Sequence, residues 1–247
     1  MDLIVLGAGP AYTDRPGAAG AAYLVRDAGT AVVLDLGQGS FPSLARELEP
    51  STLAGVFISH LHPDHFVDLV ALRHYLQWEF RPPRRVVVRA PVDLAKRLDG
   101  VAGERGFADA VFALDGITER PVDVGRLLVE AGRVTHTDES YAFRISTSGG
   151  VGLVYSGDCG VADDLESLVR PGDVLLSEVA FGPGPVPAGA LHLDGPAVGR
   201  LAARTRAGRV LLTHIQMGFD RDATLRSVCD TYDGPVEFVD PGVRISI

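Results

Sequence analysis

Only two of the 247 residues are cysteines, Cys159 and Cys229, and only one is a lysine, Lys96. Two cysteines with neither zinc-ligand nor redox spacing exclude a disulfide scaffold and a thiolate metal cluster. No apolar run approaches the roughly 20 residues that a membrane helix needs, so no membrane association is expected. The start Met1-Asp2-Leu3-Ile4-Val5-Leu6 has no basic region, and Gly and Pro soon interrupt it. A secretory signal is therefore not expected, and the expected location is the cytoplasm. Internal repeats, coiled-coil heptads and low-complexity tails are also missing. Positive charge is scarce: 23 Lys and Arg face 32 Asp and Glu, a net charge of −9. That balance argues against a surface built to grip long nucleic acid, although bound cations would make a site locally positive. The preference for arginine over lysine reads as coding bias and not as function.

The composition, 46% hydrophobic and 22% charged, is that of an ordinary globular protein able to bury a substantial core. Short β-branched runs end in Gly or polar residues, and amphipathic stretches follow several of them. Strands are expected at Leu3–Leu6, Ala21–Val25, Ala31–Leu36, Leu53–Ile58, Arg85–Ala90, Leu127–Ala131, Tyr141–Ser146, Gly152–Ser156, Val174–Ser177, Val210–Thr213, Val236–Val239 and Val243–Ile247. Helices are expected at Ser40–Leu48, Asp64–Trp78, Val92–Leu98, Asp163–Val169, Asp194–Thr205 and Asp222–Thr231. No Ser/Pro-rich linker divides them, so the expectation is one α/β (α+β) domain over residues 1–247, two mixed sheets packed face to face with helices outside. The Gly/Pro-rich stretch Phe181–Gly189, just before His192, reads as a loop at a site.

The chemistry-bearing residues follow the expected strands. His60 comes after Gly55–Ile58, Asp158 after Leu153–Ser156, Glu178 after Val174–Ser177 and His214 after Val210–Thr213, while His136 ends the run Arg133–Thr135. Ligands bind at the carboxyl ends of strands in open α/β sheets, so these residues are expected to converge. The densest group is His60-Leu61-His62-Pro63-Asp64-His65. His60 and His62 alternate out of an extended segment, and Pro63 and Asp64 suit the start of a helix. Imidazole and carboxylate together suit zinc, manganese or iron.

In this order the motifs resemble the metallo-β-lactamase-fold hydrolases over nearly the whole chain. Asp35-Leu36-Gly37-Gln38-Gly39 resembles the first, structural motif, and His60–His65 the HxHxDH motif. Val134-Thr135-His136-Thr137, Tyr155-Ser156-Gly157-Asp158 and Leu211-Leu212-Thr213-His214-Ile215 resemble the third, fourth and fifth. The resemblance implies a four-layer αββα sandwich and two divalent metal ions, zinc first, with manganese and iron as alternatives. One ion would be held by His60, His62 and His136, the second by Asp64, His65 and His214, with Asp158 bridging; Asp64 counts among the catalytic residues as well.

Within that superfamily the chain looks most like the ribonuclease Z branch and its small relatives, which include cyclic-nucleotide phosphodiesterases. The segment His136–Ile145 resembles the branch's third motif and following strand, and Glu178-Val179-Ala180-Phe181 its E-A-T-[FWY] segment. His192, 22 residues before His214, resembles the branch's extra active-site histidine, followed here by Leu193-Asp194 instead of the frequent Ser or Thr. By resemblance His192 protonates the leaving oxygen or steadies charge, and Glu178 orients it. His136 and Asp158 are only 22 residues apart, leaving no room for the arm with which ribonuclease Z grips tRNA. The expected substrate is therefore a small phosphodiester such as a cyclic nucleotide. RNA 3′-end cleavage and acyl (thioester or lactone) hydrolysis are the alternatives, and the branch leaves room for a homodimer. Arg81, Arg84 and Arg85 are candidate phosphate contacts, His74 a packing residue, and Cys159 a neighbour of Asp158 and not a ligand.

Overall fold

The computed structural model describes residues 1–15 and 17–247. Its contacts divide the chain into two compact units, one made of Met1–Ala11, Gly17–Ile117 and Pro241–Ser246, the other mainly of Thr118–Asp240.

The first unit begins with an antiparallel meander, β1 (Asp2–Gly7), β2 (Ala22–Asp27) and β3 (Thr30–Leu34). A two-residue turn joins β2 to β3, with Ala28 and Gly29 both at positive φ (41° and 88°), the backbone that a tight right-twisted hairpin requires. Helix α1 (Phe41–Glu47) then leads to β4 (Gly55–Phe57), which runs parallel to β3. After β4 come two helices, α2 (Pro63–Phe66) and α3 (Leu69–Trp78), where the sequence suggests one helix over Asp64–Trp78. The break falls at Asp68, whose N–H donates to Leu36 O while its carboxylate accepts from Phe41 N. Tertiary bonds thus take the groups that would have continued the helix. Strand β5 (Val86–Ala90), helix α4 (Leu94–Ala102) and strand β6 (Phe112–Gly116) follow, with β4, β5 and β6 parallel. Leu69, Leu72 and Leu76 of α3 are fully buried with Val56, Ile58, Val88 and Leu98 in one core cluster. Each such side chain contributes about 1.5–3 kcal/mol by leaving water.

The second unit carries the sheet β7 (Val122–Val124), β8 (Leu127–Arg133), β9 (Tyr141–Ser146), β10 (Leu153–Tyr155), β11 (Val174–Glu178), β12 (Arg209–Thr213) and β13 (Val236–Phe238). Its spatial order is β13-β12-β11-β10-β9-β8-β7. Strands β7 to β10 are antiparallel; β10 to β13 are parallel. Helices α5 (Gly195–Thr205) and α6 (Arg221–Cys229) are capped by Asp194 and Asp220, whose side chains accept from Ala197 N and Ala223 N. The helix suggested at Asp163–Val169 is only a 3₁₀ turn, Ala162–Leu165. Strand β14 (Arg244–Ser246) returns to the first unit and pairs with β1.

Both sheets are mixed and flanked by helices, as the sequence suggests. Strands β6 and β7, for which the sequence showed no clear run, close the outer edges of their sheets. They are short and half-exposed, so they lack the alternation that marks a strand facing a core. Functionally important is where the parallel strands end. Ser59 and His60 follow β4, Asp158 follows β10, Glu178 closes β11 and His214 follows β12.

Candidate metal centre

In the first unit, His60 and His62 lie on the turn after β4, and Asp64 and His65 follow in the short helix α2. The His60 ring centroid lies 4.7 Å from that of His62 and 4.1 Å from that of His65. His62 keeps an extended backbone before Pro63, which occupies the first helical position without losing a needed N–H. Beneath this turn sits Asp35, fully buried and at a φ of +56°, a left-handed conformation costly for a residue with a Cβ. Its Oδ1 accepts from Ser59 N at 2.6 Å, and its Oδ2 accepts from Ser59 Oγ and from His65 Nδ1, both at 2.7 Å.

Because the Ser59 hydroxyl spends its proton on Asp35, its oxygen accepts from His60 Nδ1 at 3.1 Å. Both His60 and His65 therefore carry their proton on Nδ1, leaving Nε2 as the lone-pair nitrogen. A metal-ligating imidazole is oriented in this way, through a hydrogen bond from its other nitrogen. The first motif's glycine has a steric reason as well: a Cβ on Gly37 would stand 1.9 Å from the Asp64 carbonyl oxygen. Leu36 N–H donates to His65 O at 2.7 Å, so the Asp35–Gly37 segment is clamped against the ligand turn.

In the second unit, His136, Asp158, Glu178, His192 and His214 gather at the ends of the parallel strands. His136 Nδ1 donates to Leu191 O at 2.7 Å, which again leaves Nε2 as the lone-pair nitrogen. Burial lowers the His136 pKa, against the pull of the Asp158 carboxylate and the Leu191 carbonyl, and so favours the neutral form that a cation needs. Asp158 Oδ2 lies 3.6 Å from His136 Nε2, and its Oδ1 lies 3.5 Å from His214 Nε2. One carboxylate thus faces two imidazoles with different oxygens. His214 is itself at a φ of +55°.

His192 Nδ1 lies 2.9 Å from Glu178 Oε1. Glu178 is fully buried, and its oxygens also accept from Cys159 N at 2.8 Å and Ala180 N at 3.0 Å. Gly160 lets the His192 segment approach, because a Cβ there would stand 2.7 Å from Leu191 Cα and 2.9 Å from Thr135 O. The Cys159 thiol is buried, donates to Val161 O and is pushed up to about 12 by desolvation, so it is held as a neutral thiol.

These spacings test whether the residues fit a metal. Nitrogen and oxygen bonds of about 2.0–2.2 Å in a tetrahedral site put two ligand atoms roughly 3.3–3.6 Å apart. His136–Asp158 at 3.6 Å, His214–Asp158 at 3.5 Å and His65 Nε2–Asp64 Oδ2 at 3.6 Å have that separation. All three exceed the length of a good N–H···O hydrogen bond. Asp158, His192 and His214 also each offer a ligand atom within 4.8 Å of the others. The donor set fits a divalent cation.

Other residues singled out in the sequence fall elsewhere. His74 stacks edge-on against Phe107 at 5.5 Å between centroids. Arg81 donates to the Trp78 and Phe80 carbonyls, Arg85 to those of Ala110 and Phe112, and Arg84 lies over the Phe80 ring. Arg81 and Arg84 thus serve the connection between α3 and β5, and Arg85 ties that connection to the start of β6. Ser59 and Gly160 carried no signal in the sequence beyond their position beside candidate ligands.

Residues 24–215 match a family model described as the β-lactamase superfamily domain. The chain belongs to that superfamily and has its α/β sandwich fold, which makes it a metal-dependent hydrolase. A relative from Mycobacterium leprae, an uncharacterised protein, is 33% identical over 239 residues, covering 94% of this chain and 84% of its own. The crystal structure of the metallo-β-lactamase fold protein YhfI from Bacillus subtilis superposes with a TM-score of 0.87 at 21% identity, covering 99% of this chain and 98% of its own. Human tRNase Z, short form, superposes with a TM-score of 0.75 at 22% identity, covering 100% and 99%. At these identities the two structures speak to fold alone.

Proposed function

We propose that the protein is a binuclear phosphodiesterase acting on a small phosphodiester such as a cyclic nucleotide. In this reading His60, His62 and His136 would hold one divalent ion and Asp64, His65 and His214 a second, with Asp158 as a ligand to both. Zinc is the first candidate on donor chemistry, with manganese and iron behind it. Bound ions of this kind lower the pKa of a water and stabilise negative charge on phosphoryl oxygens.

The chain's own residues do the rest. Nδ1-protonated His60, His65 and His136 present Nε2 as ligands, held by Ser59, Asp35 and the Leu191 carbonyl. The observation that carries the phosphodiester reading is the His192–Glu178 pair at 2.9 Å. Glu178 fixes the Nδ1 proton of His192, so Nε2 is the atom that can hand a proton to a departing alkoxide. Acyl transfer to water through the same ions has less need of a second, carboxylate-oriented imidazole. The spacing of β9, the turn at Gly149 and β10 leaves no segment for a tRNA-gripping arm, which favours a small substrate over tRNA.

The test is a substrate panel with the zinc- and manganese-loaded protein: bis(p-nitrophenyl) phosphate, 3′,5′-cyclic AMP, a precursor tRNA, a thioester and a lactone. Turnover of the first two is the expected result. Thioester or lactone cleavage without phosphodiester turnover would overturn the reading, and preference for the precursor tRNA would move it to RNA processing.

A further inference from the structure

The cations suggested for phosphate contact, Arg81, Arg84 and Arg85, are engaged elsewhere, yet the first unit holds two others close to a candidate ligand. A cleft of about 810 Å³ opens beside His62. Leu61, Phe66 and Val101 line its apolar walls, and Lys96 and Arg97, adjacent on α4, line it with positive charge. Both are exposed, and neither has a carboxylate within ion-pair distance among the described residues. Other cations of this unit do: Arg73 pairs with Glu104 and Arg89 with Asp115. Asp93 also lines the cleft, so its net charge is a single positive one.

A half-apolar cleft with two cations and a net positive charge, next to an imidazole of the ligand turn, suits a particular kind of group. Arginine binds phosphate through a planar fork and lysine as a mobile point charge, while the Leu61, Phe66 and Val101 surface accepts a base or sugar face. We propose that this cleft binds a second phosphate on the substrate, carried on the portion beyond the scissile phosphodiester. The preferred substrate class is then a phosphodiester bearing an additional phosphomonoester, such as a 5′-phosphorylated dinucleotide. The inference rests on the phosphodiesterase reading for its substrate, but the cleft itself can be examined without turnover.

Two measurements on the metal-loaded protein decide it. In the first, KM is compared for thymidylyl-thymidine with and without a 5′-phosphate, in the wild type and in the Lys96→Ala/Arg97→Ala double variant. An exposed ion pair changes affinity by up to about fivefold, so loss of both cations should raise KM for the 5′-phosphorylated dinucleotide roughly tenfold. KM for the unphosphorylated dinucleotide and kcat for bis(p-nitrophenyl) phosphate should stay unchanged. In the second, Lys96, the chain's single lysine, is acetylated with an amine-selective ester and followed by mass spectrometry. Thymidine 3′,5′-bisphosphate should slow its labelling several-fold and thymidine should not.

Equal KM values for the two dinucleotides in the wild type, or labelling unaffected by the bisphosphate, overturns the proposal. Absence of phosphodiester turnover with labelling still protected overturns the phosphodiesterase reading and leaves the phosphate-binding cleft standing.

Discussion

Nδ1 of His192 lies 2.9 Å from Oε1 of Glu178, a carboxylate that is fully buried and already accepts two backbone N–H groups. The imidazole comes from a Gly/Pro-rich loop and the carboxylate from the end of β11. A loop residue is thereby tied to a strand end, and His192 Nε2 gains a defined position.

If that nitrogen protonates the leaving oxygen, the loss on mutation depends on the leaving group. His192→Ala should lower kcat on 3′,5′-cyclic AMP about 10²–10⁴-fold. It should change kcat on bis(p-nitrophenyl) phosphate little, because p-nitrophenolate departs without a proton. Glu178→Gln weakens the charge-assisted bond that orients His192, so it should lower kcat on 3′,5′-cyclic AMP more than on bis(p-nitrophenyl) phosphate. Equal losses on both substrates would make His192 a structural residue.

Gly37 lies under the ligand turn with no room for a methyl group. Gly37→Ala should push the Asp64 backbone outward and cost about 1–3 kcal/mol, with a loss of bound metal seen by elemental analysis. Gly39→Ala is the control. Its Cβ would meet only the Ala19 Cβ at 3.7 Å, so it should show backbone strain from a φ of +76° and full metal content.

Away from the site, Arg144 donates to both oxygens of Asp173, Nε at 2.7 Å and Nη2 at 3.0 Å, with both side chains buried. Burial alone raises the Asp173 pKa, but Arg144 and the Gly152 and Arg170 N–H groups outweigh it and hold the carboxyl below its ordinary value. A depressed carboxylate stabilises the fold above its unfolded pKa and loses that contribution as pH falls through the folded pKa. Arg144 keeps its Glu130 partner, so Asp173→Asn should cost about 1.5–3 kcal/mol near neutrality, and the gap to wild type should narrow below about pH 4. Thermal melts at stepped pH measure both.

The ligand turn was legible in the sequence because three histidines and an aspartate in six positions leave few structural readings. The parallel strands were legible from apolar runs ending in polar residues, and they delivered Asp158, Glu178 and His214 to strand ends. What binds these residues was not. Ser59 relays Asp35 to His60 through one hydroxyl proton, and no spacing marks such a serine. The helix break at Asp68 and the passage of Leu191 over Gly160 come from tertiary contacts that local propensity does not encode. Arg81, Arg84 and Arg85 looked like phosphate contacts because they are clustered in sequence, but backbone carbonyls and the Phe80 ring occupy them.

The proposed binuclear centre of histidines and carboxylates should cleave phosphodiesters only with its ions in place. Its most direct test is to strip the protein with a chelator and titrate zinc or manganese back while following bis(p-nitrophenyl) phosphate hydrolysis. Activity should vanish on stripping and return to a plateau at two ions per chain. Undiminished turnover in the stripped protein, or a plateau at a single ion, would contradict it.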